Sequence, residues 1–200
     1  VMLKILHTSD LHLGKKLFKV DRLREQEIFL DWLVQTSKSE NIDILIIAGD
    51  IFDTPSPPHE AVKIYFSFLN KMSELKNTQT LIIAGNHDSR SFIQAPNEIL
   101  AKNNIIVWGE LKENPNDHKF SVIKDDTTYK FYALPYFRSY DFLKWHQFYF
   151  DAPIPNNDDE REKVFLDVLS NFLKTDKEEK NIFIGHHLFG PYSLAGSEQA

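Results

Sequence analysis

The chain has 200 residues, 42% hydrophobic and 26% charged, with a formal net charge of −6 at pH 7 and no cysteine. That size and balance describe an ordinary soluble globular chain: one moderately large domain, or one domain with an appendage. They exclude disulfides and thiolate metal sites, coating of nucleic acid by bulk charge alone and, with no apolar run near ~18 residues, a membrane-spanning helix. The N-terminus carries no signal-peptide apolar region, and the lack of cysteine is compatible with a cytoplasmic home.

In chain order, residues 3–8 read as a first strand and 10–18 as a loop. Asp21 is a candidate N-cap for a helix running to about Glu40, with Leu23, Ile28, Leu30, Leu33 and Val34 at roughly helical spacing. Residues 43–48 form a second strand. Pro55, Pro57 and Pro58 forbid regular structure before a helix from His59 to about Leu75. Residues 79–84 form a third strand, 89–102 a loop with a short helix, and Ile105 to Val107 a fourth strand.

The pattern then changes. Residues 120–123 and 129–134 flank Asp125-Asp126-Thr127-Thr128, which predicts a hairpin of antiparallel strands. Residues 138–150 read as a short aromatic helix or irregular segment, and 151–159, with two Pro and two Asn, as a surface loop. A helix follows over 160–173, with Val164, Phe165, Val168, Leu169 and Phe172 as its apolar face. Ile182 to Gly185 is another buried strand, ending in His186-His187. Residues 192–200 carry no pattern that would finish a fold, so the expectation is a fragment.

Three of the apolar runs end in metal-binding residues. The first ends in Ser9-Asp10-Leu11-His12, the second in Gly49-Asp50 followed by Asp53, and the third in Gly85-Asn86-His87-Asp88. Short Ile- and Leu-rich runs separated by helical stretches predict buried parallel strands. Parallel strands bring their carboxyl ends to one edge of the sheet, where α/β proteins keep their ligands. Asp10 and His12, two residues apart in extended backbone, would face the same side and reach one ion. Asp50 has two oxygens and can bridge two ions about 3.5–4 Å apart. Asn86 offers a neutral oxygen to the second ion, and His186 a nitrogen. His87, adjacent to Asn86, is better placed over a substrate. Such oxygen-rich sites with imidazole suit Mn²⁺, Fe or Zn²⁺, and paired ions suit phosphate-ester hydrolysis. Taken singly, each motif also has a plain structural reading as a turn, a helix cap or a core residue. His7 reads as a core or supporting histidine, His59 as a helix-start residue, and His118 and His146 as residues without chemistry. The series Tyr65, Phe66, Phe68 and Leu69 reads as core, or as a helix–helix dimer contact.

The order Asp10/His12, Gly49-Asp50-Ile51-Phe52-Asp53, Gly85-Asn86-His87-Asp88 and Gly185-His186 resembles the calcineurin-like metallophosphoesterase superfamily. Between the motifs, Thr8 to Lys15, Ala48 to Pro55, Gly85 to Ser89 and Leu134-Pro135-Tyr136 are similar to the bacterial SbcD, or Mre-type, DNA exonuclease family. The resemblance implies a four-layer αββα sandwich and two Mn²⁺ ions. It implies Asp10, His12 and Asp50 on one metal, Asp50, Asn86 and His186 on the other, and His87 acting on the leaving group. It further implies single-strand endonuclease activity, and double-strand exonuclease activity with an SbcC-type ATPase partner. A homodimer would form through helices such as that at 59–75. In two respects the chain departs from the pattern. The family's last motif, Gly-His-x-His, is absent, so each metal would lack one histidine, and the capping domain and ATPase-binding tail would lie beyond Ala200. The doublet His186-His187 leaves open which histidine is the ligand. Two other readings stand beside the nuclease: a phosphoesterase of small phosphate esters or nucleotides, which the acidic charge favours, and a non-catalytic scaffold domain.

Overall fold

A computed structural model describes residues 2–175 and 179–187. The first half builds a parallel sheet from β1 (Ile5–Thr8), β4 (Ile44–Ala48), β5 (Gln79–Ile83) and β6 (Ile105–Trp108), side by side in that order. Between β1 and β4 the chain makes a small ribbon, β2 (Lys16–Leu17) with β3 (Val20–Asp21), and then α1 (Leu23–Ser39). The helix α2 (His59–Ser73) joins β4 to β5, and two short helices, α3 (Arg90–Gln94) and α4 (Asn97–Ala101), join β5 to β6. A second sheet follows. β7 (Lys119–Lys124) and β8 (Thr127–Leu134) form the hairpin, with Asp125 and Asp126 both at positive φ in its two-residue turn. Helices α5 (Ser139–Leu143), α6 (Trp145–Phe150) and α7 (Asp158–Phe172) then cross over to β9 (Lys180–Gly185), which lies parallel to β8.

Side-chain alternation makes the layers. Leu45, Ile47, Ile82, Ile105 and Val107 point to α1 and α2, where they meet Leu30, Leu33, Tyr65, Phe68 and Leu69. Their neighbours Ile44, Ile46, Ala48, Leu81, Ile83 and Trp108 point the other way, onto Phe131, Ala133 and Ile184 of the second sheet. The far face of that sheet, through Tyr132 and Leu134, packs on Phe142, Trp145, Val164, Val168 and Phe172. The order is helix, sheet, sheet, helix, the αββα sandwich expected. Strands covered on both faces explain why β4 and β5 read as unbroken apolar runs.

Several local expectations need correcting. β1 is an edge strand of its sheet, and Ile5 and His7 are exposed, so His7 is no core residue. An edge strand has a neighbour on one side only, so it is not buried as β4 is. Ile28 is 60% exposed, because the inward stripe of α1 runs through Leu30, Leu33, Val34 and Ser37, and Ile28 stands about 200° from Leu30. Arg22, not Asp21, occupies the cap position of α1; Asp21 Oδ1 accepts from the Leu23 amide at 2.8 Å from one residue earlier. The loop after β1 contains the β2–β3 ribbon. Of the series on α2, Tyr65, Phe68 and Leu69 are core and only Phe66 reaches the surface. His118 is fully buried and bonded through both ring nitrogens, a structural setting that the sequence does not announce. The expectation for residues 192–200 falls outside the described residues.

Candidate metal centre

Three loops leave the carboxyl ends of β1, β4 and β5; backbone bonds zip the first two together, and the Asp50 and Asp88 carboxylates tie in the third. Asp10, His12 and Leu13 donate to the carbonyls of Gly49, Asp50 and Ile51 at 3.1, 3.0 and 2.9 Å. The second sheet is docked at the same edge. The Tyr136 amide, just past β8, donates to Ala84 O at 2.8 Å, and His186 Nδ1 lies 2.7 Å from Ala48 O. The carboxyl ends of five strands, β1, β4, β5, β8 and β9, thus meet in one place.

The backbone there is not extended. Asp10, His12 and Asp50 have φ of 55°, 41° and 52°. The expectation that Asp10 and His12 share a side because they lie in extended chain is therefore wrong in its reason. They converge through left-handed kinks at alternate residues, a conformation that costs non-glycine residues energy and clusters at functional sites. Gln26 of α1 helps to hold this loop, accepting from the Gly14 amide and donating to His12 O at 2.8 Å. Two glycines are required by close approach. A Cβ on Gly49, whose φ is 89°, would collide with the His186 ring, and a Cβ on Gly85 would collide with the Asp50 carboxylate.

The proposed ligands gather around Asp50, whose side chain is 4% exposed. His12 Nε2 lies 3.7 Å from Asp50 Oδ2 and 3.9 Å from Asp10 Oδ1. On the other side, His186 Nε2 lies 3.5 Å from Asp50 Oδ1 and 3.2 Å from Asn86 Oδ1. The two oxygens of Asp50 thus face separate groups of donors. Spacings just under 4 Å fit donors that would each stand about 2.0–2.2 Å from a shared ion. The electrostatics agree. Burial alone would lower the His186 pKa, but the Asp50 carboxylate, the Ala48 carbonyl and Asp10 outweigh it and raise it to about 9. The site draws positive charge inward, which is the demand a divalent cation would meet. Asp50 is held below the usual carboxylate range: burial opposes this, and the His186 and His87 hydrogen bonds prevail. Burial, aided by Lys15 and His87, lowers the His12 pKa and leaves a neutral imidazole suited to ligation.

His87 has a different setting. Its amide donates to Asp50 Oδ1 at 3.0 Å, and its Nδ1 lies 2.9 Å from the Asp53 carbonyl. With Nδ1–H donating to that carbonyl, Nε2 is left to exchange a proton. The ring sits edge-on to His12, with centroids 5.0 Å apart. His187 turns away from this cluster, with Nε2 3.3 Å from Pro135 O and its ring stacked on Tyr136.

The calcineurin-like phosphoesterase family model matches residues 3–199 of the chain. The chain belongs to that family. Among its relatives, the SbcD subunit of nuclease SbcCD from Escherichia coli (strain K12) is 39% identical over 99 residues, 50% of this chain and 24% of the relative. The corresponding protein of Bacillus subtilis (strain 168) is 39% identical over 107 residues, 54% and 27% of the two chains. That of Staphylococcus saprophyticus is 26% identical over 184 residues, 92% and 46%. The chain therefore spans less than half the length of each of these relatives. A solved structure, the Pseudomonas putida nuclease MPE, is 21% identical over 52% of this chain and 46% of that one, with a TM-score of 0.34, a level from which no shared architecture follows. The family and the nuclease relatives support a metal-dependent hydrolase. No helix among the described residues is long and apolar enough to cross a membrane.

One residue of this cluster carries no assignment from the sequence. Asp53 Oδ1 lies 3.4 Å from His12 Nδ1 and 3.6 Å from Lys15 Nζ, while its carbonyl orients His87. Asp53 also groups with His12 and His87 as a possible ligand set. The Gly-Asp-x-x-Asp spacing was its only signal, because nothing in a sequence says which histidine a loop carboxylate will meet.

Proposed function

We propose that this chain is the nuclease domain of an SbcD-type enzyme and hydrolyses DNA phosphodiester bonds. Asp10, His12 and Asp50 would hold one divalent ion, and Asp50, Asn86 and His186 the other, with Mn²⁺ the expected metal. When bound, such a pair supplies Lewis-acid polarisation of the phosphoryl oxygens and an activated water. The chain's own residues supply the rest. Asp50 keeps the two ligand groups in register. His87, fixed through Nδ1, presents Nε2 to the leaving oxygen and donates its proton there. His186 rather than His187 is the ligand in this reading, since it alone of the two faces Asn86 and Asp50.

The observation that carries the reading is the division of the Asp50 oxygens between two donor groups beside His87. The relatives' names support a nuclease that is a subunit of an SbcCD-type complex; the DNA substrate, the endonuclease and exonuclease activities, the ATPase nature of the partner and a role in DNA repair and recombination rest on the family resemblance alone. A homodimer through 59–75 would have to use the outer face of α2, since Tyr65, Phe68 and Leu69 are core. The deciding experiment is cleavage of plasmid and hairpin DNA by the full-length protein with Mn²⁺. Activity confined to a small chromogenic phosphodiester would refute the nuclease reading and favour the small-ester one.

A further inference from the structure

Asp88 closes the Gly85–Asp88 loop and takes no part in the chemistry above. It is 6% exposed. Its side chain accepts from three backbone amides. Oδ2 accepts from Ile51 at 3.1 Å and from Gly85 at 2.8 Å, and Oδ1 accepts from Phe52 at 2.9 Å. Ile51 and Phe52 directly follow Asp50, and Gly85 directly precedes Asn86. A carboxylate taking three amide donors is a strong tie, since charge-assisted bonds are roughly twice as strong as neutral ones. Its charge is tolerated in the interior only because those donors satisfy it.

The Asp10–Leu13 loop is held quite differently. Its bonds to the Gly49–Asp53 loop are backbone to backbone, through Gly49, Asp50 and Ile51 on one side and the Asp53 amide on the other. None of them passes through Asp88.

We propose that Asp88 is a positioning residue that fixes Asn86 against Asp50 and so sets one half of the metal centre independently of the other. The inference rests on the ligand assignment proposed above. Its consequence is asymmetric. Without the Asp88 carboxylate, the loop bearing Asn86 loses its tie to Ile51 and Phe52 and is left with the His87 bonds to Asp50 Oδ1 and the Asp53 carbonyl. Asp10, His12 and Asp50 remain together.

The test is titration of metal-free protein with Mn²⁺, read by calorimetry and by electron paramagnetic resonance. Wild type should take two ions and show a spin-coupled pair. Asp88→Asn keeps the size but replaces one acceptor oxygen with an NH₂ group. It should lose about 10–100-fold in affinity at one site only, the range expected when a partner that orients a ligand is removed. The coupled signal should vanish while the uncoupled signal persists. Asp88→Glu, which keeps the charge, should recover part of the coupled signal. Val168→Ala, in the distant helical layer, controls for lost stability and should keep both ions. Two undiminished sites in Asp88→Asn, or equal loss at both, would overturn the proposal.

A wild type that binds no second ion would refute the ligand assignment rather than the tie. Hydrogen exchange on metal-free wild type then decides, as it does if Asp88→Asn fails to fold. The amides of Ile51, Phe52 and Gly85 should exchange more slowly than those of Asn86 and Ser89. Equal rates would show that the Asp88 tie does not form.

Discussion

His118 should make the protein acid-sensitive in a defined window. The ring is fully buried between the end of β6 and β8. Its Nε2 accepts from the Lys112 amide at 2.8 Å, and its Nδ1 lies 2.9 Å from the Ala133 carbonyl. An acceptor at Nε2 and a donor at Nδ1 describe the neutral imidazole. A proton on Nε2 would break the first bond and point a charge at an amide donor. Burial is the largest cause of a pKa lowered to about 4; the Ala133 carbonyl and Asp117 oppose it. The ordinary value, which the unfolded chain should show, is 6.5. The folded pKa is the lower one, so the unfolded chain binds the proton first. The stabilisation is complete above pH 6.5 and is lost as pH falls from 6.5 towards 4. The difference between the two values corresponds to about 3 kcal/mol in total, of which about 2 kcal/mol is gone by pH 5. Urea unfolding of wild type and His118→Phe, with chelator present, at pH 7.5, 6 and 5 gives the comparison. His118→Phe leaves the Lys112 amide and Ala133 carbonyl unsatisfied and should be destabilised at pH 7.5, by about 1–3 kcal/mol for each group. The gap between the two proteins should narrow by about 2 kcal/mol on going to pH 5. A gap that stays constant across this range would refute the assignment of a neutral, doubly bonded His118.

Other outcomes follow from the site. His87→Ala should keep its metals by calorimetry and lower kcat roughly 10²–10⁴-fold, the usual contribution of a positioned acid or base; unchanged turnover would remove His87 from the mechanism. Gly85→Ala sets a methyl against the Asp50 carboxylate. It should cut kcat/KM on the order of 10²-fold, as a shift of about 1 Å at a reacting centre does; unaltered kinetics would show that the Asp50 position is not critical. His186→Ala should weaken Mn²⁺ binding in a titration. His187→Ala should leave the titration unchanged and cost about 0.5–1.5 kcal/mol in urea unfolding, through lost stacking on Tyr136 and the tilted ring contact with Phe137. The reverse pattern would make His187 the ligand.

The sequence by itself determined the strands of the parallel sheet, though not their order in it or the β2–β3 ribbon, because short apolar runs such as Ile44 to Ala48, separated by helical stretches, suit strands covered on both faces. It also determined which residue types end those strands, and hence the kind of chemistry they suit. It identified the hairpin at Asp125-Asp126, since a two-residue turn is a local event. What it could not carry were relations between distant segments. Asp10 and His12 lie near one another, but not through extended backbone: both have positive φ, and the loop is held by bonds to Gly49, Asp50 and Ile51 far along the chain. The choice between His186 and His187 depends on the docking of β9 beside Ala48, a contact spanning 138 residues. Exposure of His7 and burial of His118 depend on which strand lies at an edge and which loop folds over β8. Asp53 and Asp88 read as ordinary loop carboxylates until the tertiary structure supplies their partners: a histidine for one and three backbone amides for the other. Local pattern records the period of a strand or helix and its punctuation; the pairing of a side chain with a group far along the chain exists only once the layers have packed.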